Sequence, residues 1–336
     1  MNGLLKSALA SCLFFSQFVF ANNLFITNPD VKAFIEHMQV KHHFSKKKLL
    51  TLFESAQLQP QVIENMKHPL EKETWNQYQH VFIENDHIVE GSLFRQKYHR
   101  ALLRAEKKYG VPASIIIATL GVETLYGKRS GTYRVIDALS SLSFSDLPRN
   151  RYFRGELEQF LLLTREQGLD PLKTQGSYAG AIGAPQFMPS SYRQYAASFS
   201  KKARIDLIHN TRDAIASIAN YYKEHGWKSP HFVATAARIR GRAYLKLQNP
   251  DGSPRSFSST RLSAYGIKPA HKIPKGYLLK LIELEGQHGK EYWLVFSNFD
   301  VIKKYNSSNL YAMAVYQLSR SILIYSHEKK VSYEKK

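Results

Sequence analysis

Residues 118–144, ATLGVETLYGKRSGTYRVIDALSSLSF, decide how this chain is read. Pro112 sits where a helix can begin, and residues 113–126 then read as a helix of about four turns. Most of it is apolar, yet it carries one acid. Ile116, Thr119 and Leu120 lie seven, four and three positions before Glu123, so they share its face. That face looks inward, and burial penalises an ionised carboxylate. Glu123 also falls in the last turn, just before Gly127, where the helix carbonyls oppose negative charge. Both effects favour a carboxylic acid that keeps its proton near neutrality and can give it to a leaving oxygen. A lone Glu at a helix end can equally well be solvated or paired, and Lys128 and Arg129 are close in sequence.

Around this helix the chain reads as mainly helical. Ser45 is a natural N-cap for the run that follows it, and Ser92 for another. Phe94, Tyr98, Leu102, Ala105 and Tyr109 recur at helical spacing until Gly110. Residues 150–166 and 211–225 read as further helices; Ile215, Ile218, Ala219 and Tyr222 form the apolar stripe of the second. The texture changes near residue 245. NPDGSPRSFSS is turn-rich, and YLLKLIELEGQHGKEYWLVF alternates like two strands joined at Gly286–Gly289. A helix returns at 310–325 with Ala312, Val315, Leu318 and Ile322 on one side, and the tail HEKKVSYEKK reads as solvated and frayed.

The ends and the charge bound the setting. MNGLLKSALASCLFFSQFVFANN has a positive Lys6, an apolar run and a small-residue exit at Ala21, the pattern of a secretory signal. Its removal takes away one charge from a chain of 336 residues and net charge +20. Cys12, the one cysteine, lies within it. A soluble periplasmic protein cleaved near Ala21 is the reading adopted; an outer-membrane lipoprotein attached through Cys12 is the alternative. The mature chain then has no disulfide and depends on core packing. Export argues against nucleic acid as the partner of this basic surface and favours an anionic polymer outside the cytoplasm. Weak membrane or cell-wall association is compatible with the charge, and a monomer is expected.

A second constellation lies at residues 176–196, GSYAGAIGAPQFMPSSYRQYA. Gly176, Gly180 and Gly183 permit positive φ and close backbone approach. Ser177, Tyr178, Gln186 and Tyr192 supply directional hydrogen bonds suited to sugar hydroxyls. The segment lacks the G-x-S-x-G elbow, so Ser177 is not read as a nucleophile. A third patch, YNSSNLYAMAVYQL, begins at Tyr305 and carries Asn306 and Tyr311. Capping by Asn306 or Asn309 and packing by the tyrosines would also account for it.

GVETLYGKRSGTYRVIDALSSLSF, GSYAGAIGAPQFMPSSYRQYA, DAIASIANYYKEHGW and YNSSNLYAMAV, in this order, resemble the membrane-bound lytic murein transglycosylase B family (glycoside hydrolase family 103). The resemblance runs from about residue 30 to about 325. It implies an α+β fold, mainly helical, with a lysozyme-like core. In that scheme 22–110 is a helical domain completed by a C-terminal helix at 312–336. Residues 111–245 and 300–311 form the catalytic core, and 246–299 a small β domain. It implies non-hydrolytic cleavage of the β-1,4 bond between N-acetylmuramic acid and N-acetylglucosamine in peptidoglycan, leaving 1,6-anhydromuramoyl ends. Glu123 matches the family's catalytic acid. Ser177, Gln186, Tyr221, Tyr305, Asn306 and Tyr311 match positions that line its glycan cleft.

The chain departs from the family in three places. A calcium loop usual after the QFMPSSY segment reads here SFSKKARIDLIHNTRD. Ser198, Lys202 and Arg204 stand where oxygen ligands or a turn glycine belong, so no calcium and no other cofactor is expected. Asp213 remains, and can serve as a helix cap. Ala184-Pro185 replaces a Gly-rich pair before Gln186 and could reshape the cleft locally. Arg149-Asn150 stands where two arginines are common.

Two other functions compete. A muramidase hydrolysing the same bond needs a second carboxylate, about 5–5.5 Å away if retaining and about 6.5–9.5 Å if inverting; Asp137, Glu156 and Asp206 are candidates. An inactive peptidoglycan-binding protein could keep the cleft alone, although the presence of Glu123 argues against it. A secreted metal enzyme has little support, since there is no H-E-x-x-H and His42-His43 belongs to a basic stretch.

Overall fold

Asn28 and Ser45 open the first two long helices in the same way. In the computed structural model, which describes residues 25–67, 73–200 and 204–334 (side chains to 329), Asn28 Oδ1 accepts from Asp30 N at 2.8 Å and Ser45 Oγ from Lys48 N at 3.4 Å. Such side chains satisfy N–H groups that a helix start leaves without partners. The secretory signal, its exit at Ala21, Cys12 and Lys202 lie outside the described residues.

The helices are α1 (Pro29–His42), α2 (Lys46–Ser55), α3 (Pro60–Asn65), α4 (Trp75–Phe82), α5 (Asn85–Lys97), α6 (His99–Tyr109), α7 (Ala113–Thr124), α8 (Val135–Ser143), α9 (Asn150–Gln167), α10 (Pro189–Tyr195), α11 (Thr211–Glu224), α12 (Ser297–Tyr305) and α13 (Asn309–Glu334). The strands are β1 (Tyr133–Arg134), β2 (Gln175–Gly176), β3 (Ala234–Ile239), β4 (Phe257–Ser258), β5 (Ile267–Pro269), β6 (Leu278–Gly286) and β7 (Gly289–Val295). The fold is mainly helical with a small antiparallel β insertion. No helix among the described residues is long and apolar enough to cross a membrane.

The described chain divides into two compact units. One takes in 25–67, Gly131–Ile182 and Phe187–Arg193; the other takes in 73–130, Gly183–Gln186 and 194–334. In the first unit Phe34, Phe53 and Phe144 meet edge to face with centroids 6.0–6.2 Å apart. Fully burying such a ring contributes roughly 1.5–3 kcal/mol. Buried Asp137 accepts from Arg134 Nε at 2.6 Å and Gln57 N at 3.0 Å, fastening α8 to the segment that follows α2. Glu158 of α9 accepts from Lys41 at 3.0 Å and is bonded to His37 at 3.0 Å and His42 at 2.7 Å, holding the end of α1. Burial opposes ionisation of Glu158, but the bonds from His42, Lys41 and His37 prevail and hold its carboxyl at about 2.

In the second unit α13 lies against α5 and α7, with Ala312, Val315, Leu318 and Ile322 fully buried. It continues as helix to Glu334, past the expected fraying point, so the polar tail carries on the α-helical backbone. Ser92 does not start a helix; it lies inside α5, buried. Nor do Phe94 and Tyr109 share one continuous helix. The backbone breaks at Tyr98 (φ −107°, ψ 19°), and the spacing is resumed by α6 in near register, which is why the sequence pattern does not show the break.

The five-stranded antiparallel sheet has the order β4-β6-β7-β3-β5. Its hairpin closes with Gly286 opposite Gly289, as the turn residues predict. Leu247, Phe257, Ile267, Leu279, Leu294 and Phe296 make its core. β3 lies upstream of residue 246, where the change in texture falls. Its ATAARI composition lacks the large apolar alternation by which strands are recognised, and pairing to both β5 and β7 places it in the sheet.

Candidate active site

Nine of the twelve residues of α7 are buried, and Glu123 is half-buried in its last turn. The turn after it is unusual. Leu125 (φ 48°) and Tyr126 (φ 62°) are both left-handed, followed by Gly127 at φ 89°. Such a conformation costs a non-glycine residue roughly 1–2 kcal/mol, so surrounding bonds must hold it. Leu125 N donates to Gly121 O and Tyr126 N to Leu120 O, each at 3.0 Å, closing the helix end. Tyr126 Oη donates to His87 O at 2.6 Å, and only the absence of side chains at Gly91 and Gly121 leaves room for it. Buried Thr124 donates to Ala184 O at 2.8 Å and accepts from Gly127 N at 2.9 Å. The turn that carries Glu123 is thereby fixed to the 183–186 loop.

Glu123 meets an aromatic wall. Tyr311, from the first turn of α13, donates its hydroxyl to Glu123 Oε1 at 2.6 Å. The Tyr305 ring stacks on Tyr311 with centroids 6.2 Å apart and planes at 15°, and its hydroxyl donates to Pro185 O at 2.5 Å. Tyr221 packs 4.8 Å from Tyr305 and donates to Lys304 O at 2.5 Å. Tyr222, also buried, lies 5.6 Å from Tyr305 and hydrogen-bonds Thr119 Oγ1 at 2.8 Å. Burial first, and the nearby Glu123 charge second, raise the Tyr305 and Tyr311 phenols well above their ordinary value. Both therefore stay neutral and available as donors. Lys128, the sequence neighbour that could have neutralised Glu123, pairs instead with Glu90 at 2.8 Å.

The other expected residues fall as follows. Gln186 takes a positive φ of 50° and donates Nε2 to Ser130 O at 3.1 Å and Gly183 O at 2.9 Å, leaving Oε1 as the acceptor for a ligand. Ala184-Pro185 leaves no stranded group, since Pro185 lacks an N–H and its carbonyl takes the Tyr305 hydroxyl. Ala184 N donates to Leu207 O at 3.0 Å. Gly183 (φ 74°) is required there, because a Cβ would collide with the Leu207 carbonyl. Asn306 Oδ1 accepts from Ser308 N at 3.1 Å, a local turn. Ser308 itself caps α13, accepting from Leu310 N at 3.1 Å and Tyr311 N at 3.4 Å. Ser177 belongs to the first unit, directly after β2. Its Oγ accepts from Ala179 N at 3.2 Å and Ala181 N at 3.0 Å, which leaves its own proton to donate.

The alternative acids are engaged elsewhere. Asp137 is held by Arg134 and Gln57 N. Glu156 accepts from Ser190 N at 3.0 Å and Ser190 Oγ at 2.7 Å, opening α10. Asp206 Oδ1 accepts from Ile208 N at 2.9 Å and His209 N at 2.8 Å. In the first turn of α11, Asp213 Oδ1 accepts from Ser198 Oγ at 2.7 Å and Oδ2 from Asp206 N at 3.1 Å, where the sequence predicts no calcium. Both oxygens thus face protein donors, and Arg100, Arg104 and Arg212 line the adjoining space. Among the described residues this donor set does not fit a calcium ion.

Sequence reasoning did not single out Thr124, Tyr126, Ser308 or Tyr222 as site residues. Tyr222 reads as part of an apolar stripe, and only the Thr119 hydroxyl four positions before Glu123 hints that a polar partner is needed there.

Comparison with known proteins finds relatives over most of the chain. Residues 27–320 match the family described as the transglycosylase SLT domain. Membrane-bound lytic murein transglycosylase B of Escherichia coli is 38% identical over 310 residues, covering 89% of this chain and 84% of that protein. The Escherichia coli lytic transglycosylase Slt35 in complex with bulgecin A has a TM-score of 0.82 at 39% identity, covering 90% of this chain and 95% of that one. SltB3 of Pseudomonas aeruginosa in complex with NAG-NAM-pentapeptide has a TM-score of 0.77 at 25% identity, covering 87% and 78%.

Proposed function

The chain belongs to the lytic murein transglycosylase B family, and from that premise we propose that it cleaves the β-1,4 bond between N-acetylmuramic acid and N-acetylglucosamine in peptidoglycan without water. The observation that carries the reading is the Tyr311–Glu123 hydrogen bond within a wall of neutral tyrosines. The peptidoglycan fragment bound by SltB3 supports the substrate class. Export to the periplasm is part of the reading, with attachment through Cys12 as the alternative.

Glu123 gives its proton to the glycosidic oxygen. Tyr311 holds Oε1 while the proton is given. Positive charge builds at the anomeric carbon, where the substrate's own 2-acetamido group meets it. The carboxylate left on Glu123 then takes the proton of the muramoyl C6 hydroxyl as its oxygen attacks the anomeric carbon. The product is a 1,6-anhydro ring, Glu123 regains its proton, and no water is consumed. An attack within one sugar has a large proximity advantage. The Tyr311 hydroxyl strengthens its bond as Glu123 ionises, so it acts most where charge develops.

The remaining residues hold and orient. Ser177, on the first unit, keeps a proton to donate to a sugar group. Gln186 Oε1 accepts from a sugar hydroxyl, and Asn306 orients a sugar group. Tyr305 and Tyr221 spend their hydroxyls on Pro185 O and Lys304 O, so they shape the wall through their rings. The hydrolytic alternative lacks support because Asp137, Glu156 and Asp206 are each bound by protein donors.

Glu123→Gln tests the assignment, since it keeps the size of the side chain and an acceptor for Tyr311 but removes the acid. Release of soluble fragments from isolated murein sacculi should fall at least ~100-fold. Digestion at the wild-type rate would place the acid elsewhere.

A further inference from the structure

A cavity of about 400 Å³ in the second unit is lined by Arg100, Arg104, Ser198, Phe199, Ser200, Asn210 and Arg212, with Asp213 at its base. Arg100 and Arg104 stand one turn apart on α6, and Arg212 lies in the first turn of α11. The ion pairs among the described residues include none of these three arginines. The one acid lining the cavity, Asp213, accepts from Ser198 Oγ and Asp206 N and forms no ion pair with them among the described residues.

This is an unfavourable arrangement for an empty site. Three arginines line one cavity, and one of them sits at a helix N-terminus, where cations are disfavoured. The loop nevertheless holds its part of the cavity in place. Arg104 stacks on the Phe199 ring at 5.0 Å and donates Nη2 to Phe199 O at 2.8 Å. Ser200 N donates to Ser198 Oγ at 3.2 Å, so the loop is folded about its own hydroxyl.

We propose that this cavity is an anion site that takes a phosphate group, either free or at the head of a phospholipid. Guanidinium forks suit the paired oxygens of phosphate, and the Ser200 hydroxyl adds a neutral donor, since the Ser198 proton already goes to Asp213. A tetrahedral oxyanion can answer three forks arriving from two helices, whereas a planar carboxylate presents only two oxygens. The volume leaves room for an ester substituent. The site is separate from Glu123's aromatic wall: Arg212 and Tyr221 lie about 14 Å apart along the axis of α11. It does not depend on the proposed catalytic reading.

The test is isothermal titration of the full mature chain with inorganic phosphate in chloride buffer, using wild type, Arg100→Gln, Arg212→Gln and Glu123→Gln. Arg104 is left intact because it supports the loop. Wild type and Glu123→Gln should bind saturably and alike, and each arginine variant should bind at least ~10-fold more weakly, the loss of one charge-assisted contact. Matched thermal unfolding checks that the variants are folded. Co-sedimentation with phosphatidylglycerol-containing and pure phosphatidylcholine vesicles separates the sources. Capture that needs phosphatidylglycerol, is competed by phosphate and is lost in both arginine variants identifies a lipid headgroup. Phosphate binding without such capture identifies the free ion. No saturable phosphate binding by the wild type, or binding that both arginine variants retain, overturns the proposal.

Discussion

Replacing Tyr311 with Phe removes one atom, the hydroxyl that lies 2.6 Å from Glu123 Oε1. The ring is fully buried and stacked on Tyr305, so Phe fills the same space and the fold should survive. Hydrogen bonds to charged groups are worth about 1.5–3 kcal/mol. If that energy is felt mainly when Glu123 has given up its proton, turnover should fall about 10- to 100-fold. The pH profile carries a second signature. Tyr311 donates to the carboxylate and so favours its ionised form; without it the Glu123 pKa rises. An acid must be protonated to act, so activity is lost on the alkaline side as Glu123 ionises. In Tyr311→Phe that alkaline limb should move upward. The assay is the initial rate of soluble fragment release from murein sacculi across pH, with thermal unfolding as the control. A variant with turnover within twofold of wild type and an unmoved or lowered alkaline limb would refute the reasoning.

Thr124→Val should lower stability by about 1–3 kcal/mol, since it strands the buried Ala184 carbonyl and the Gly127 N–H; a melting temperature equal to wild type would contradict this. Glu158 gives a prediction for acid. Its folded value of about 2 lies below the ordinary carboxylate value, so its contribution is complete above about 4.5 and disappears as pH falls towards 2. Wild type should therefore exceed Glu158→Gln by ~1 kcal/mol near pH 5 and match it near pH 2 in chemical denaturation, and a difference that grows on acidification would be inconsistent.

The elements most legible in the sequence are those with strong local signals. α7, α9 and α11 show clear apolar spacing, and the β6–β7 turn shows its glycines. Glu123 stands out because an acid on an apolar face is conspicuous. What the sequence hides depends on partners distant along the chain. β3 is built of small residues, and its place comes from pairing with β5 and β7. Tyr98 interrupts a helical run whose spacing continues across the break. Thr124 and Tyr126 look like ordinary helix-end residues until Ala184 O and His87 O are brought to them. Asn306 and Asn309 both suggest a cap, yet Ser308 accepts the N–H groups that open α13, since the strength of a cap depends on backbone geometry that composition does not reveal.

The central claim is that one carboxylic acid breaks the glycan bond with the substrate's own hydroxyl in place of water. Mass spectrometry of the fragments that the purified protein releases from murein sacculi tests it most directly. Muramoyl ends lighter by one water than those of a hydrolysed strand are predicted; ends carrying the added water would contradict the account.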